Sequence, residues 1–394
     1  MAGLYIHVPF CLRKCAYCDF YSIPYQGELI EAFGDSLQKE IRLYANDGWD
    51  SFSTIYFGGG TPSLLSPSTI NQILSEIHGA FSITEHCEIS MEANPGTIDL
   101  TNLKGFRSAG INRISLGVQS LNDEELALLG RIHRRGEVFE AVDALKSAGF
   151  DNFGLDLIYG LPDQELHSWL DSLQQAIALA PQHISCYLLQ LDDDVPLAHS
   201  ISTGQLQEPA DELAAEMYYT TIDTLSQYGF DHYEISNFAR SGFECQHNIG
   251  YWQVKPYLGL GPGAVTLVSG DGSLTRASNT RYINYSDVGS YVQHLCNDQL
   301  PLREELEHMQ IQDLAIEAMI MGLRLTQGID IPAFIERFDL NPLDQYKTVI
   351  DWGIAEGLLE VLPLQSQSEN RPPTHLRLTR KGYFLSNEIF SRLL

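Results

Sequence analysis

Short apolar runs alternate with longer stretches in which apolar residues recur roughly every three to four positions. Leu4–Val8, Thr54–Phe57, Ile89–Met91, Ile114–Val118, Leu155–Ile158 and Ile184–Leu189 read as strands. Ser66 caps and Pro67 opens a helix whose Ile70, Ile73, Leu74, Ile77 and Phe81 make one stripe. Phe33 to Tyr44 and Trp169 to Leu179 carry the same helical spacing.

The repeat has its own punctuation. Arg107-Ser108-Ala109-Gly110-Ile111-Asn112 recurs as Lys146-Ser147-Ala148-Gly149-Phe150-Asp151, and more loosely as Ser226-Gln227-Tyr228-Gly229-Phe230-Asp231. Each time a helix ends on a glycine and a strand follows a short turn. Gly110 and Gly149 stand 39 residues apart, and Gly149 and Gly229 stand 80 apart, about two units. Six strands by residue 190 predict an α/β fold, a partial open (β/α)6 barrel. Ligands then gather at the carboxyl ends of the strands.

Beyond residue 195 the pattern changes. Residues 192–209 read as an acidic, turn-rich connection, and Ala210 to Tyr228 as a helix. The chain divides into a barrel over 1–235, an irregular Gly-, Tyr- and Asn-rich region over 236–305, and a C-terminal part over 306–394. That last part begins helical at Leu306, then gives a Leu358–Leu362 strand, a polar stretch at 363–374, another strand and a helix. It predicts a winged-helix-like, mainly helical domain that serves packing or a partner.

The 394 residues carry 44% hydrophobic positions, ample for a core. Lys and Arg number 24 against 51 Asp and Glu, a net charge of −27. Such a surface repels polyanions, which disfavours nucleic-acid partners and an RNA-modifying role. The cluster Arg131-Ile132-His133-Arg134-Arg135 is small, and holding an anionic ligand or simple solvation are its readings. No apolar run approaches the roughly 18 residues of a membrane span, and no targeting segment precedes the first cysteine.

Three of the seven cysteines, Cys11, Cys15 and Cys18, fall within eight residues just after the first strand. Thiolates so close cannot all pair as disulfides without strain, so they read as a soft-metal site. A zinc site wants four closed ligands, and no nearby Cys or His plainly completes it. A 4Fe–4S cluster on three thiolates, with one iron left open, suits the spacing better; a structural zinc knot is the alternative. An oxygen-sensitive cluster and unpaired cysteines call for a reducing compartment, so a cytoplasmic location is expected. Cys87, Cys186 and Cys296 are expected in the core.

Other candidates sit at strand ends. Gly58-Gly59-Gly60-Thr61-Pro62 lets the backbone approach a ligand, or is a plain tight turn. Glu92 precedes the turn Asn94-Pro95-Gly96, poised for a ribose or an ammonium; a capping or solvated carboxylate is the bland reading. Gln119 ends the next strand, and Arg131 follows the next helix, where it could meet a carboxylate. Asp156 interrupts an apolar strand, so it points inward or is paired. His247, beside Tyr251 and Trp252, could ligate haem iron, with Cys245 as rival ligand; plain packing against the barrel is the other reading.

Cys11-x3-Cys15-x2-Cys18 resembles the signature of the radical S-adenosylmethionine (SAM) superfamily. That resemblance implies a cluster whose open iron chelates the amino and carboxylate groups of SAM, and whose electron releases a 5′-deoxyadenosyl radical. It also implies the partial barrel. Tyr5, the three cysteines, Gly59, Gly60, Thr61, Glu92, Gln119, Arg131 and Asp156 fall in order on the pattern of the oxygen-independent coproporphyrinogen III oxidases and their relatives, where these positions hold the cluster and SAM. Gly117-Val118-Gln119-Ser120 and Asp156-Leu157-Ile158-Tyr159-Gly160-Leu161-Pro162 are specific strings within it.

The chain departs from the oxidase in having Phe20 where the oxidase has a fourth cysteine, and in starting four residues before Tyr5. His247-Asn248-Ile249-Gly250-Tyr251-Trp252 is similar instead to the mark of the haem-chaperone branch. That branch implies haem as cargo, apo-haemoprotein clients such as respiratory enzymes, and a homodimer as one route of control. The alternative is the oxidase itself, which removes propionate carboxyl groups from coproporphyrinogen III.

Overall fold

A computed structural model describes residues 1–45, 47–49, 51–269, 279–363 and 373–394. Its centre is a run of six parallel strands, β1 (Ala2–Val8), β2 (Phe52–Gly59), β3 (Ile83–Ala93), β4 (Arg113–Gln119), β5 (Phe153–Tyr159) and β6 (His183–Leu188). They neighbour one another in chain order, as consecutive βα units do. The helix opened by Pro67 begins where the sequence predicts, while those read from Phe33 and Trp169 begin earlier, at Gly27 and Leu166. Ser66 accepts from the Thr69 N–H with Pro67 in the first turn, and Gly110, Gly149 and Gly229 all take positive φ.

The strands alternate in what they face. Leu4, Ile6 and Val8, then Ile114, Leu116 and Val118, then Phe153, Leu155 and Leu157, share one core with helix stripes such as Ile70, Ile73, Leu74 and Ile77. The residues between them, Tyr56, Glu92, Arg113, Ser115, Asp156 and Ser185, line a cavity inside the barrel. One face of the sheet is therefore oil and the other a polar lumen.

Residues 236–305 are not irregular. Asn237–Ala239 pairs antiparallel with β6, and Tyr257–Leu260 runs parallel to β1 on the other side. Val265–Ser269, Asn279–Asn284 and Arg303–Met309 extend that edge, and Asp231–Glu234 pairs with Asn237–Ala239 at the other, giving twelve strands among the described residues. The extension is bolted to the barrel by Glu40 on the helix Gly27–Tyr44. This fully buried carboxylate accepts from Gly261 N–H (2.9 Å), Tyr291 hydroxyl (2.7 Å) and Asn284 amide (3.2 Å). The short helix Gln246–Trp252 also belongs to this region.

Past the edge strand Arg303–Met309, the helical part opens at Ile311 rather than Leu306. It has its own core around Leu314, Met319, Phe334, Ile350 and Leu376. Ile329–Asp330, Pro373–Leu378 and Leu359–Pro363 form a three-stranded antiparallel sheet among its helices, the wing of the predicted winged-helix-like domain. Most of the polar stretch expected at 363–374 lies outside the described residues. Arg380 clamps Asp223 of the barrel's helix Asp211–Gln227 with two bonds of 2.6 and 2.7 Å. Cys87 and Cys186 are buried as expected, but Cys296, at the end of its helix, is exposed.

Candidate functional site

The cysteine loop leaves the carboxyl end of β1. Phe10–Cys11 pairs with Ile23–Pro24, and the loop between them is pinned by Ala16 N–H to Leu129 C=O (3.0 Å) and Leu197 N–H to Ala16 C=O (2.9 Å). Cys11, Cys15 and Cys18 carry free thiols, and all three line the cavity, about 430 Å³. No three His, Cys, Asp or Glu side chains among the described residues are grouped to hold a single metal ion. A cubane makes a different demand, since each thiolate reaches its own iron.

What surrounds the sulfurs suits that demand. Arg131 donates to Cys15 Sγ (3.4 Å), to the Gly117 carbonyl (2.7 Å) and to Asn94 Oδ1. Asn94 donates to Thr61 Oγ1 (3.1 Å), and Thr61 donates to Cys11 Sγ (3.6 Å). Two of these donors, Arg131 and Thr61, end on sulfur, the polarity that suits thiolate ligands of a cluster. The residues present fit a 4Fe–4S cluster.

Gly60 brings the glycine turn hard against the same loop, because a Cβ there would stand 2.7 Å from the Phe10 carbonyl and 2.9 Å from Val8 O. Gly59 has φ +110° and its N–H donates to Glu92 Oε2 (3.2 Å). Tyr56 hydroxyl donates to Glu92 Oε1 (2.8 Å). Burial outweighs these bonds and lifts the Glu92 carboxyl to about 7. Asp156 accepts from Ser115 Oγ (3.0 Å) and Ser185 Oγ (2.6 Å), and burial raises its proton affinity too. Gln119 sits at the strand end at φ 69°, on a register break between β4 and β5.

Gly59, Gly60, Thr61, Glu92, Gln119, Arg131 and Asp156 thus share one cavity with the three cysteines. Tyr5 does not line it. Its ring packs beside the stacked pair of Tyr56 and His247, and its hydroxyl meets His7 Nδ1 (3.1 Å).

His247 and Cys245 are buried and do not line the cavity. His247 is 3% exposed, with Nδ1 at 2.8 Å from Thr54 Oγ1 and Nε2 at 3.0 Å from Tyr251 hydroxyl. Burial pushes its pKa down to about 3. Cys245 is buried against Glu88, its thiol raised to about 12 chiefly by burial. Both imidazole nitrogens have protein partners, an arrangement that suits the packing reading of the motif. The motif plugs the lumen beneath Tyr5 and Gly3, whose missing Cβ makes room for the imidazole. Asn248 reaches the cavity from that floor, while Trp252 lies under the Arg324 guanidinium at 4.5 Å, toward the C-terminal domain.

Two lumen residues escaped the sequence reading. Asn94 looked like part of a turn, yet it relays Arg131 to Thr61. Arg113, just before the strand read over Ile114–Val118, was not singled out. It is 1% exposed, lines the cavity, and its Nε has no partner among the described residues.

The sequence pattern of the Radical SAM superfamily matches residues 5–176, and that of the HemN C-terminal domain matches residues 310–363. The chain is 39% identical over 332 residues to the haem chaperone HemW of Synechocystis sp., covering 82% of this chain and 78% of that protein. It is 32% identical over 396 residues to the haem chaperone HemW of Bacillus subtilis, covering 100% and 99%. Among solved structures, the radical SAM coproporphyrinogen III oxidase HemN of Escherichia coli matches with a TM-score of 0.80 at 23% identity, over 100% of this chain and 89% of that one, a likeness of fold. On these matches, the chain belongs to the HemW family of haem chaperones, a radical SAM barrel followed by a HemN-type C-terminal domain.

Proposed function

We propose that this protein carries haem as cargo and passes it to apo-haemoprotein clients such as respiratory enzymes. The observation that carries this reading is identity to haem chaperones along the full chain, 32% over 396 residues in one case. Cys11, Cys15 and Cys18 would hold a 4Fe–4S cluster, and Gly59, Gly60, Thr61, Glu92, Gln119, Arg131 and Asp156 would hold SAM beside it. The hydrogen bonds directed onto Cys11 and Cys15 support that assignment.

When bound, a cluster of this kind supplies an electron for reductive cleavage of SAM. The chain's own part is positional. Glu92, between Tyr56 and Gly59, offers an acceptor to an amino or ribose hydrogen, and Arg131 spans the cysteine loop and the end of β4. No helix among the described residues is long and apolar enough to cross a membrane. The cytoplasm is the proposed location, and dimerisation a proposed means of regulating transfer.

The test is an anaerobic titration of cluster-reconstituted protein with haem, followed by absorbance, beside incubation with coproporphyrinogen III, SAM and reductant. Stoichiometric haem binding without protoporphyrinogen is the expected result. Steady decarboxylation with 5′-deoxyadenosine release and no haem binding would overturn the proposal and make the chain an oxidase.

A further inference from the structure

The cavity and its mouth differ in chemistry. Inside are carboxylates, serines and a guanidinium, poor company for a macrocycle with apolar faces. At the mouth stand three apolar side chains that nothing in the fold covers: Phe20 (61% exposed), Leu12 (48%) and Ile132 (45%). Leu12 and Phe20 flank the cysteine loop, and Ile132, next to Arg131, lines the same cavity. Exposed large apolar residues scattered singly need no explanation, but three around one opening mark a contact surface.

The same rim carries cations. Arg13 and Lys14 are exposed, line the opening, and form no ion pair among the described residues. Arg134 and Arg135 follow Ile132, also exposed, and Asp19 is the acid beside Phe20. In a chain of net charge −27 this is an unusual excess of positive charge. An apolar ring bordered by flexible cations matches a flat apolar ligand with carboxylates at its edge.

We propose that haem seats on this rim, its macrocycle against Phe20, Leu12 and Ile132 and its propionates toward Arg13 and Lys14, so that the cargo closes the mouth of the SAM cavity. The inference rests on the chaperone reading and adds the place where the cargo lies. It also gives Phe20 a purpose at the position where the oxidase resemblance has cysteine.

The test titrates haem and haem dimethyl ester into four cluster-reconstituted proteins: the wild type, Phe20→Ala, Ile132→Asp and the double variant Arg13→Glu with Lys14→Glu. Wild type is expected to prefer haem over its ester, and the double variant to lose that preference with about tenfold weaker haem binding, the scale of two rim charge pairs. Phe20→Ala and Ile132→Asp are expected to weaken both ligands, by about fivefold or more. Ile132 lies outside the cysteine loop, so its variant keeps the test valid if Phe20→Ala disturbs the cluster. Wild-type binding that survives all three variants within twofold would overturn the rim as the seat and leave the chaperone reading standing. Absence of haem binding by the wild type would remove both together.

Discussion

His247 Nδ1 lies 2.8 Å from Thr54 Oγ1 across the barrel floor, two residues 193 positions apart in sequence. With Nε2 also engaged by Tyr251, the imidazole is neutral and stays so, its pKa held near 3 by burial. The unfolded chain takes up that proton near 6.5. The folded pKa is depressed for a base, so the neutral ring contributes stability above 6.5 that is lost as pH falls toward 3. His247→Gln should therefore flatten the dependence of urea stability on pH between about 4 and 6, by up to ~1.4 kcal/mol per pH unit. The same variant should bind haem like the wild type. A large loss of haem affinity in a folded variant would return His247 to the list of ligands.

Glu40 predicts the opposite slope. Its carboxyl is lifted to about 7 by burial despite three donors, so the folded state keeps a proton that the unfolded chain releases near 4.5. Stability from this group is greatest below 4.5 and is lost as pH rises through 7. Glu40→Gln keeps the volume and cannot ionise. It should gain on the wild type by on the order of 2–3 kcal/mol between about pH 5 and 8 in urea melts, since one pKa unit is worth ~1.4 kcal/mol. A constant difference across that range would sink the argument.

The barrel was legible because its two periods are clean. Ile114, Leu116 and Val118 alternate over a whole strand, and Ile70, Ile73, Leu74 and Ile77 hold one stripe over a whole helix. The edge extension was not. Tyr257–Leu260 is four residues long, and Gly259 interrupts it because a Cβ there would lie 2.0 Å from the Val265 carbonyl. A period of two cannot declare itself in so short a run. The cysteines, glycines and acids of the cavity were visible as strand-end residues, since strand ends are where such folds place ligands. Asn94 and Arg113 were not, because their importance comes from groups distant in sequence, Arg131 and Thr61 for the first and the charges of Glu92 and Asp156 for the second. His247 carried two readings for the same reason. Its aromatic neighbours in sequence suggested a ligand, while Thr54 and Tyr5, distant in sequence, make it a floor.

Gly60 tests how tightly the glycine turn holds the cysteine loop. Its φ is ordinary, so only space forbids a side chain, and the clashing atoms are backbone of Phe10 and Val8 that cannot rotate away. Gly60→Ala should cost about 1–3 kcal/mol and push Cys11 outward. Iron and sulfide content after reconstitution should fall well below that of wild type, while far-ultraviolet circular dichroism stays native. Full cluster content would mean the loop yields more easily than its hydrogen bonds suggest.

Glu92 and Arg113 make a coupled prediction about SAM. Ionised Glu92 offers SAM a charged and stronger acceptor than the protonated acid, and its midpoint near 7 means that affinity should rise as pH climbs from about 6 to 8. Glu92→Gln should bind weakly at every pH and abolish the rise. Arg113 enters because its buried cation lowers the proton affinity of both Glu92 and Asp156, offsetting part of the burial that raises them. It forms no ion pair among the described residues, so its influence is that of a fixed charge in a low-dielectric lumen. Arg113→Met should move the SAM-binding midpoint to higher pH, and Arg113→Lys should move it less, because the charge survives while its place shifts. Equilibrium dialysis of SAM against the cluster-loaded proteins over that pH range reads all three. A merely structural Arg113 would lower affinity equally at every pH, leaving the midpoint where Glu92 alone sets it.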